Sequence, residues 1–368
     1  MPSKQKIVFL APFEPYRSGI AKHSSQVAQE LARRDNVDLT LMSFKRLYPQ
    51  MLFPGESDKD PAAAPFDPDI SFDLDTVNPL SWMACAKRIK QINPDVLIIP
   101  VWTFFVAPCL GWIAGQARKS GIKVQGIIHN AFDHENGNWK DWLIKNQLKR
   151  IDYFVCHNQS LANQINTALG QQTVAISPHP IFDQYPVAQN IPARRAELEL
   201  LFFGIIRDYK GLDILIDAVA MLKDVDFHLT IAGECWGKIT PYQQQVARHG
   251  LQHKIEFIDR YVSDAEAAEL FERADAIVLP YRSMTGTGVI PLAYHYRTPV
   301  ITTDLEAFHE VVEPFKTGVI SEGIDAQTFA QAVRQFLILR ESENFSENTQ
   351  KIIQLYTWEN FCNEIISQ

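Results

Sequence analysis

Paired cysteines and surplus basic charge are what this sequence lacks, and no signal-peptide pattern is read at its start. Its five cysteines, Cys85, Cys109, Cys156, Cys235 and Cys362, are odd in number, scattered, and nowhere spaced as CxxC. A disulfide framework and a cysteine-based zinc or redox site are therefore not expected, and a reducing, cytoplasmic setting fits. Lys and Arg number 35 against 43 Asp and Glu, a net charge of −8, which excludes a general nucleic-acid binder but leaves room for local basic spots. The opening MPSKQKIVFLAPFEP has too short an apolar run for a signal-peptide core and no small-residue cleavage site, so it reads as a first strand. One uncharged stretch, Val96 to Gly115, is long enough to span a bilayer. Pro100 and Pro108 interrupt it, and INPDVLIIP reads as a turn and a buried strand, followed by loop and buried helix. An apolar wall against a lipid is the lesser alternative.

What is present is a rhythm. KIVFLAP, a helical stretch from Ile20 to Arg34, VDLTLMSF, a helix from Leu80 to Ile92, DVLIIPV, KVQGIIHN, IDYFVCHN and TVAISPHP alternate as βαβ units do. Periodicity fails across Ile181 to Glu197, where prolines gather, and this is the expected linker. It resumes with LELLFFG, a helix from Leu212 to Leu222, DFHLTIAG, IEFIDRYV, a helix from Asp264 to Ala274, DAIVLPY and PVITTD. The fold class expected is α/β, with two Rossmann-like, doubly wound parallel sheets. Ligands of such sheets lie beyond the carboxyl ends of the strands, so chemistry is expected in those loops and in a cleft between the halves. The Pro- and Asp-rich stretch from Arg46 to Phe72 reads as a long surface loop.

Two cations follow a strand and a glycine in LFFGIIRDYKGLDILIDAVAML. Taken alone they are solvated charges before a helix or fixed positive charge for an anionic leaving group. The segment resembles the strand, Gly, Arg, Lys, Gly, helix motif of glycosyltransferase family 4, retaining enzymes of the GT-B fold that use nucleotide-sugar donors. The resemblance implies that Arg207 and Lys210 hold the donor diphosphate and that Gly204 lets it approach the backbone. Gly19, before a long amphipathic helix in APFEPYRSGIAKHSSQVAQEL, would be a second phosphate element; this is not a GxGxxG dinucleotide fingerprint, and a plain helix start is its bland alternative. Lys22 and His23 would line the cleft with less weight.

His129 ends the strand KVQGIIHN and matches the family position where a His contacts the donor sugar, so it joins Arg207 and Lys210 as catalytic. With His134 and Glu135 it could instead suggest metal, but the HExxH spacing is missing and no metal is expected. His179 is expected to position the hinge. In DAIVLPYRSMTGTGVIPLAYHYRTPVITTD the family's Glu-x7-Glu pair falls on Met284 and Leu292, so the carboxylates are absent. Ser283, Thr285, Gly286, Thr287 and Gly288 remain as donor-sugar candidates, through hydroxyls and exposed amides. Gly233, Glu234, Tyr261 and Val262 are nucleotide-side candidates, and Glu310 is expected at a helix start.

The resemblance covers nearly the whole chain. It implies an N-terminal acceptor domain over 1–185, a donor domain over 186–345, and a terminal helix over 346–368 packed on the first domain. The implied activity moves a sugar from a nucleotide-sugar to a glycan or lipid-linked acceptor, in bacterial polysaccharide or glycoconjugate synthesis, with peripheral membrane contact at the inner face. The nucleotide-sugar is a substrate, and no cofactor is expected. A silent nucleotide-binding protein and a nucleotide-sugar epimerase or phosphorylase remain as rivals.

Overall fold

The computed structural model describes residues 4–49, 58–59, 69–130, 138–284 and 286–367. The chain forms two units, one of Met1–Pro178 with Trp358–Gln368, the other of His179–Thr357.

The first unit runs β1 (Gln5–Leu10), α1 (Gly19–Ala32), β2 (Val37–Arg46), β3 (Ile70–Asp75), α2 (Pro79–Ile92), β4 (Val96–Val101), α3 (Ala107–Lys119), β5 (Lys123–Ile128), α4 (Asn138–Leu148), β6 (Tyr153–Cys156), α5 (Gln159–Leu169) and β7 (Val174–Ile176). Its sheet is parallel, in the order β3-β2-β1-β4-β5-β6-β7. The order reverses between β1 and β4, the switch point at which doubly wound sheets open a crevice. All six residues of β4 are buried, as a strand covered on both faces requires. Pro100 has no N–H to give, yet it costs the sheet little, because the β1 ladder ends at the pair Phe9 and Ile98. The uncharged stretch thus divides into β4 and α3, and no described helix is long and apolar enough to cross a membrane.

The second unit runs β8 (Leu198–Phe203), α6 (Leu212–Ala220), β9 (Phe227–Ala232), α7 (Thr240–Arg248), β10 (Ile255–Ile258), α8 (Asp264–Arg273), β11 (Ala276–Leu279), α9 (Val289–His295), β12 (Val300–Thr302), α10 (Glu306–Val312), β13 (Gly318–Ile320), α11 (Ala326–Leu339) and α12 (Phe345–Leu355). Its parallel sheet has the order β10-β9-β8-β11-β12-β13, reversing between β8 and β11. Residues 177–197 carry no helix or strand.

The final helix, α13 (Trp358–Ile366), belongs to the first unit. It packs on α1, with Phe361 and Cys362 fully buried and Arg34 donating to Asn363 and to the Glu359 carbonyl. α12, in contrast, stays with the second unit, so the return begins at Trp358 rather than at 346. Phe345 stacks on Phe336 at 5.5 Å between ring centroids, and the Ile181 N–H donates to the Tyr356 carbonyl at 2.8 Å.

β3 is an edge strand where the sequence suggested only loop. Its ISFDLD alternates weakly, but Arg46 pairs with Asp75 at 2.5 Å and the backbone of β2 pairs with it in parallel, with register shifts after Ser43 and Phe44. Residues 50–57 and 60–68 of that loop lie outside the described residues.

Candidate functional site

In the second unit the turn after β8 gathers the expected cations. Gly204 has φ +95°, outside the range of L side chains, and a Cβ placed on it would lie 3.1 Å from Lys210 Nζ. The turn closes through a short 3-10 segment, Asp208–Lys210, in which the Lys210 N–H donates to the Arg207 carbonyl at 3.0 Å. Gly211 then takes φ +65° and α6 begins. This path folds the Lys210 side chain inward: the residue is only 7% exposed, and its ammonium lies 5.5 Å from the centre of the Tyr281 ring. Burial, and secondarily the Arg207 charge, push its pKa down to about 7. Arg207 is half-buried, 5.5 Å from the Tyr209 ring and 5.8 Å from the Trp236 ring.

Gly233 ends β9 beside this turn. Its φ is +145°, and a Cβ there would sit 2.2 Å from the Gly204 carbonyl oxygen. Glu234 is half-buried; its carbonyl accepts from Ile206 N–H at 2.9 Å and its carboxylate from Trp236 Nε1 at 3.4 Å. Tyr261 is half-buried and Val262 buried in the segment between β10 and α8, where Arg260 is paired with Glu266 at 2.6 Å.

The loop after β11 is clipped to the cationic turn. Arg282 N–H donates to the Tyr209 carbonyl at 2.7 Å, and its guanidinium reaches the Asp208 carbonyl at 2.8 Å and Asp213 at 2.5 Å. Ser283 and Thr287 are half-buried, Gly286 and Gly288 exposed, and Thr285 lies outside the described residues. Thr287 Oγ1 accepts from Val289 N–H at 3.1 Å. Met284 is half-buried and Leu292 is 3% exposed. Glu310 falls within α10 rather than at its start, where Glu306 occupies the first turn. His179 donates from Nδ1 to the Pro180 carbonyl at 2.7 Å, and burial pushes its pKa down to about 4, so it is neutral.

In the first unit Gly19 is exposed at the start of α1, whose Ser18 cap accepts from Ala21 N–H at 3.0 Å. A Cβ on Gly19 would meet nothing within 4 Å. Gly19→Ala should therefore leave the melting temperature within about a degree; a fall in ligand affinity in that variant would mark close approach of a ligand, which circular dichroism and calorimetry together would separate. Lys22 is half-buried, whereas His23 is 1% exposed. His129 is half-buried and His157 is 8% exposed. The three rings adjoin one another, with His23 and His129 centred 4.5 Å apart. His134 and Glu135 lie outside the described residues.

Sequence reasoning missed Tyr281, Trp236, Arg282 and His157. The first three carry no local pattern. His157 had one: IIHN and VCHN end consecutive strands.

Residues 188–352 match the family of glycosyl transferases group 1. The GDP-mannose:glycolipid 4-beta-D-mannosyltransferase of Xanthomonas campestris pv. campestris is 24% identical over 57% of this chain and 58% of its own. The chain spans little more than half the length of the curated relatives it matches. Among solved structures, the sucrose-phosphate synthase of Thermosynechococcus elongatus has a TM-score of 0.78 at 16% identity, covering 99% of this chain and 98% of that one. Anabaena HepE in complex with UDP has a TM-score of 0.71 at 14% identity over 99% of both chains. Residues 188–352 thus resemble the group 1 glycosyl transferases, in a chain whose two Rossmann-like units have the GT-B fold.

Proposed function

We propose that the protein is a retaining glycosyltransferase that moves a sugar from a nucleotide-sugar donor to a glycan or glycolipid acceptor. The observation that carries this reading is the buried Lys210 ammonium held against Gly204 in the turn after β8. An ammonium in so dry a position is costly unless an anion joins it, and the diphosphate of a nucleotide-sugar is such an anion. Arg207 adds a second positive charge, and Gly204 keeps the backbone side open. As the glycosidic bond breaks, charge builds on the departing phosphate, and these fixed cations lower the barrier. The phosphate oxygen then receives the acceptor proton while the sugar passes through an oxocarbenium-like state. No metal is needed at the diphosphate in this reading. Gly19 would serve as a second phosphate contact, and Ser283, Thr285, Gly286, Thr287 and Gly288 as the sugar loop. Gly233, Glu234, Tyr261 and Val262 would serve the nucleotide. His129 keeps the sugar contact that the family resemblance gives it.

Two relatives support the substrate class: one is named for GDP-mannose and a glycolipid, and one binds UDP. A glycolipid acceptor would bring the protein to a membrane surface peripherally, in the cytoplasm.

The test is a panel of nucleotide-sugars screened by thermal shift in buffer free of Mg2+ and Mn2+, followed by proton NMR of the product. One donor is expected to raise the melting temperature, and the product anomer to match the donor's. An inverted anomer would overturn retention. Binding without transfer to any acceptor would favour a silent nucleotide-binding protein, the reading that Met284 and Leu292 in place of acids supports.

A pH dependence follows. Free Lys210 titrates near 7, and only its protonated form attracts the diphosphate. Donor affinity should be level below that pH and fall above it by up to about tenfold per unit, until the higher pKa of the complex is reached. Calorimetric titration from pH 6 to 9 checks this, and a flat profile would refute it.

A further inference from the structure

Strands β5 and β6 are parallel neighbours with Ile128 paired to Cys156. The next residue on each is a histidine, so His129 and His157 leave the sheet side by side at its carboxyl edge. His129 is anchored by its N–H donating to the Val101 carbonyl at 2.9 Å. His157 is anchored by its own ring, Nδ1 lying 3.2 Å from the Ser177 carbonyl. That contact makes Nδ1 the donor and turns Nε2 toward His129 Nδ1, 3.3 Å away. α1 supplies His23 from above.

We propose that His23, His129 and His157 form a binding site for a divalent transition metal ion, with zinc the best fit. One nitrogen from each ring lies within 4.8 Å of the other two. Tetrahedral zinc with bonds of about 2.05 Å puts its nitrogens roughly 3.3 Å apart, the separation already held between His129 and His157. The ring centroids lie 4.5, 5.1 and 5.1 Å apart, close to the roughly 5 Å expected when three imidazoles point at one ion at that bond length. The Ser177 carbonyl accepting from Nδ1 is the outer contact that metal-bound imidazoles use to fix tautomer and orientation. Phe361 stacks on His157 at 5.4 Å, and Trp358 and Phe361 stand edge-on to His23, each at 5.1 Å. These rings give the ion a dry, rigid wall. Three neutral imidazoles are the ligand set that suits zinc, copper or nickel.

The inference stands independently of the transferase reading. It also parts from the sequence expectation of no metal, which weighed His129 only with His134 and Glu135.

The experiment is titration of the untagged, chelator-treated protein with Co2+ and Zn2+ alone, without donor. The expected result is saturable binding of about one ion per chain, with the intense visible bands of tetrahedral Co2+ that Zn2+ abolishes. His23→Ala and His157→Ala should each weaken affinity at least about tenfold, while the exposed His253→Ala should not. No saturable binding by the wild-type protein, or binding unaltered in His23→Ala and His157→Ala, would overturn the site. The wild-type titration decides even if a variant misfolds. A protein that binds metal here but transfers no sugar refutes the transferase and leaves this site standing.

Discussion

Lys210→Met is expected to lower kcat/KM by about a thousandfold, the scale seen when one preorganised charge-stabilising donor is removed, while making the protein more stable at neutral pH. The two effects share one cause. Lys210 is buried against Tyr281 and Gly204, and its pKa is depressed from 10.5 to about 7. Below pH 7 the folded and unfolded chains both hold the proton, and the native state bears the whole cost of a desolvated ammonium. Between 7 and 10.5 the unfolded chain keeps the proton that the native state has released, so wild-type stability rises with pH across that window. Methionine carries no charge to desolvate. Its melting temperature should exceed the wild type's by several degrees at pH 6 to 7, and the gap should close toward pH 10. Thermal melts across pH and steady-state kinetics on both proteins provide the check. Activity within tenfold of wild type would remove Lys210 from the chemistry. A melting temperature lowered at pH 6 would show that its methylenes and its ring contact outweigh the buried charge.

Gly233→Ala is expected to cost about 3 kcal/mol or more and to abolish donor binding. The added methyl would stand 2.2 Å from the Gly204 carbonyl oxygen and 2.6 Å from its carbon, at a φ of +145° that alanine avoids. Neither strand end can yield cheaply. Gly204 N–H is tied to the Ala232 carbonyl at 2.9 Å and Gly233 N–H to the Ile258 carbonyl at 3.0 Å. Relief must therefore come from breaking the ladder or from moving Gly204, and with it the space beside Lys210. Gly237→Ala is the matched control, since a Cβ there meets nothing within 4 Å. Urea denaturation of the two variants, with donor titration, reads the difference; a Gly233→Ala midpoint equal to that of Gly237→Ala would refute the close approach.

Much of the fold was legible because parallel strands buried on both faces leave largely apolar runs, unbroken in VLIIPV and interrupted only by Glu199 in LELLFF and by His228 and Thr230 in FHLTIA. β3 was hidden because an edge strand is specified by its neighbour more than by its own composition. α12 was misplaced into the returning segment because the stacking of Phe345 on Phe336 is a contact between residues separated by a turn and not a periodicity. In the candidate site, the turn from Gly204 to Gly211 could be read directly, its residues being consecutive. Tyr281 could not, because it reaches Lys210 only through the pairing of β8 with β11. His157 stood between these cases. Its strand ended like the one before it, but only the register of Ile128 with Cys156 makes two such endings neighbours.

The excursion of the chain into the second unit and back bears on how the protein can be dissected. Residues 179–357 are a single uninterrupted segment and can be excised as one fragment. The first unit has no such option, because a fragment stopping at Pro178 leaves behind Trp358, Phe361, Cys362 and Ile365, all buried in the whole protein. Its α1 would then present a bare apolar seam, with His23 at one end of it. A workable version needs α13 rejoined, by a short tether across the excised segment or by circular rearrangement of the gene.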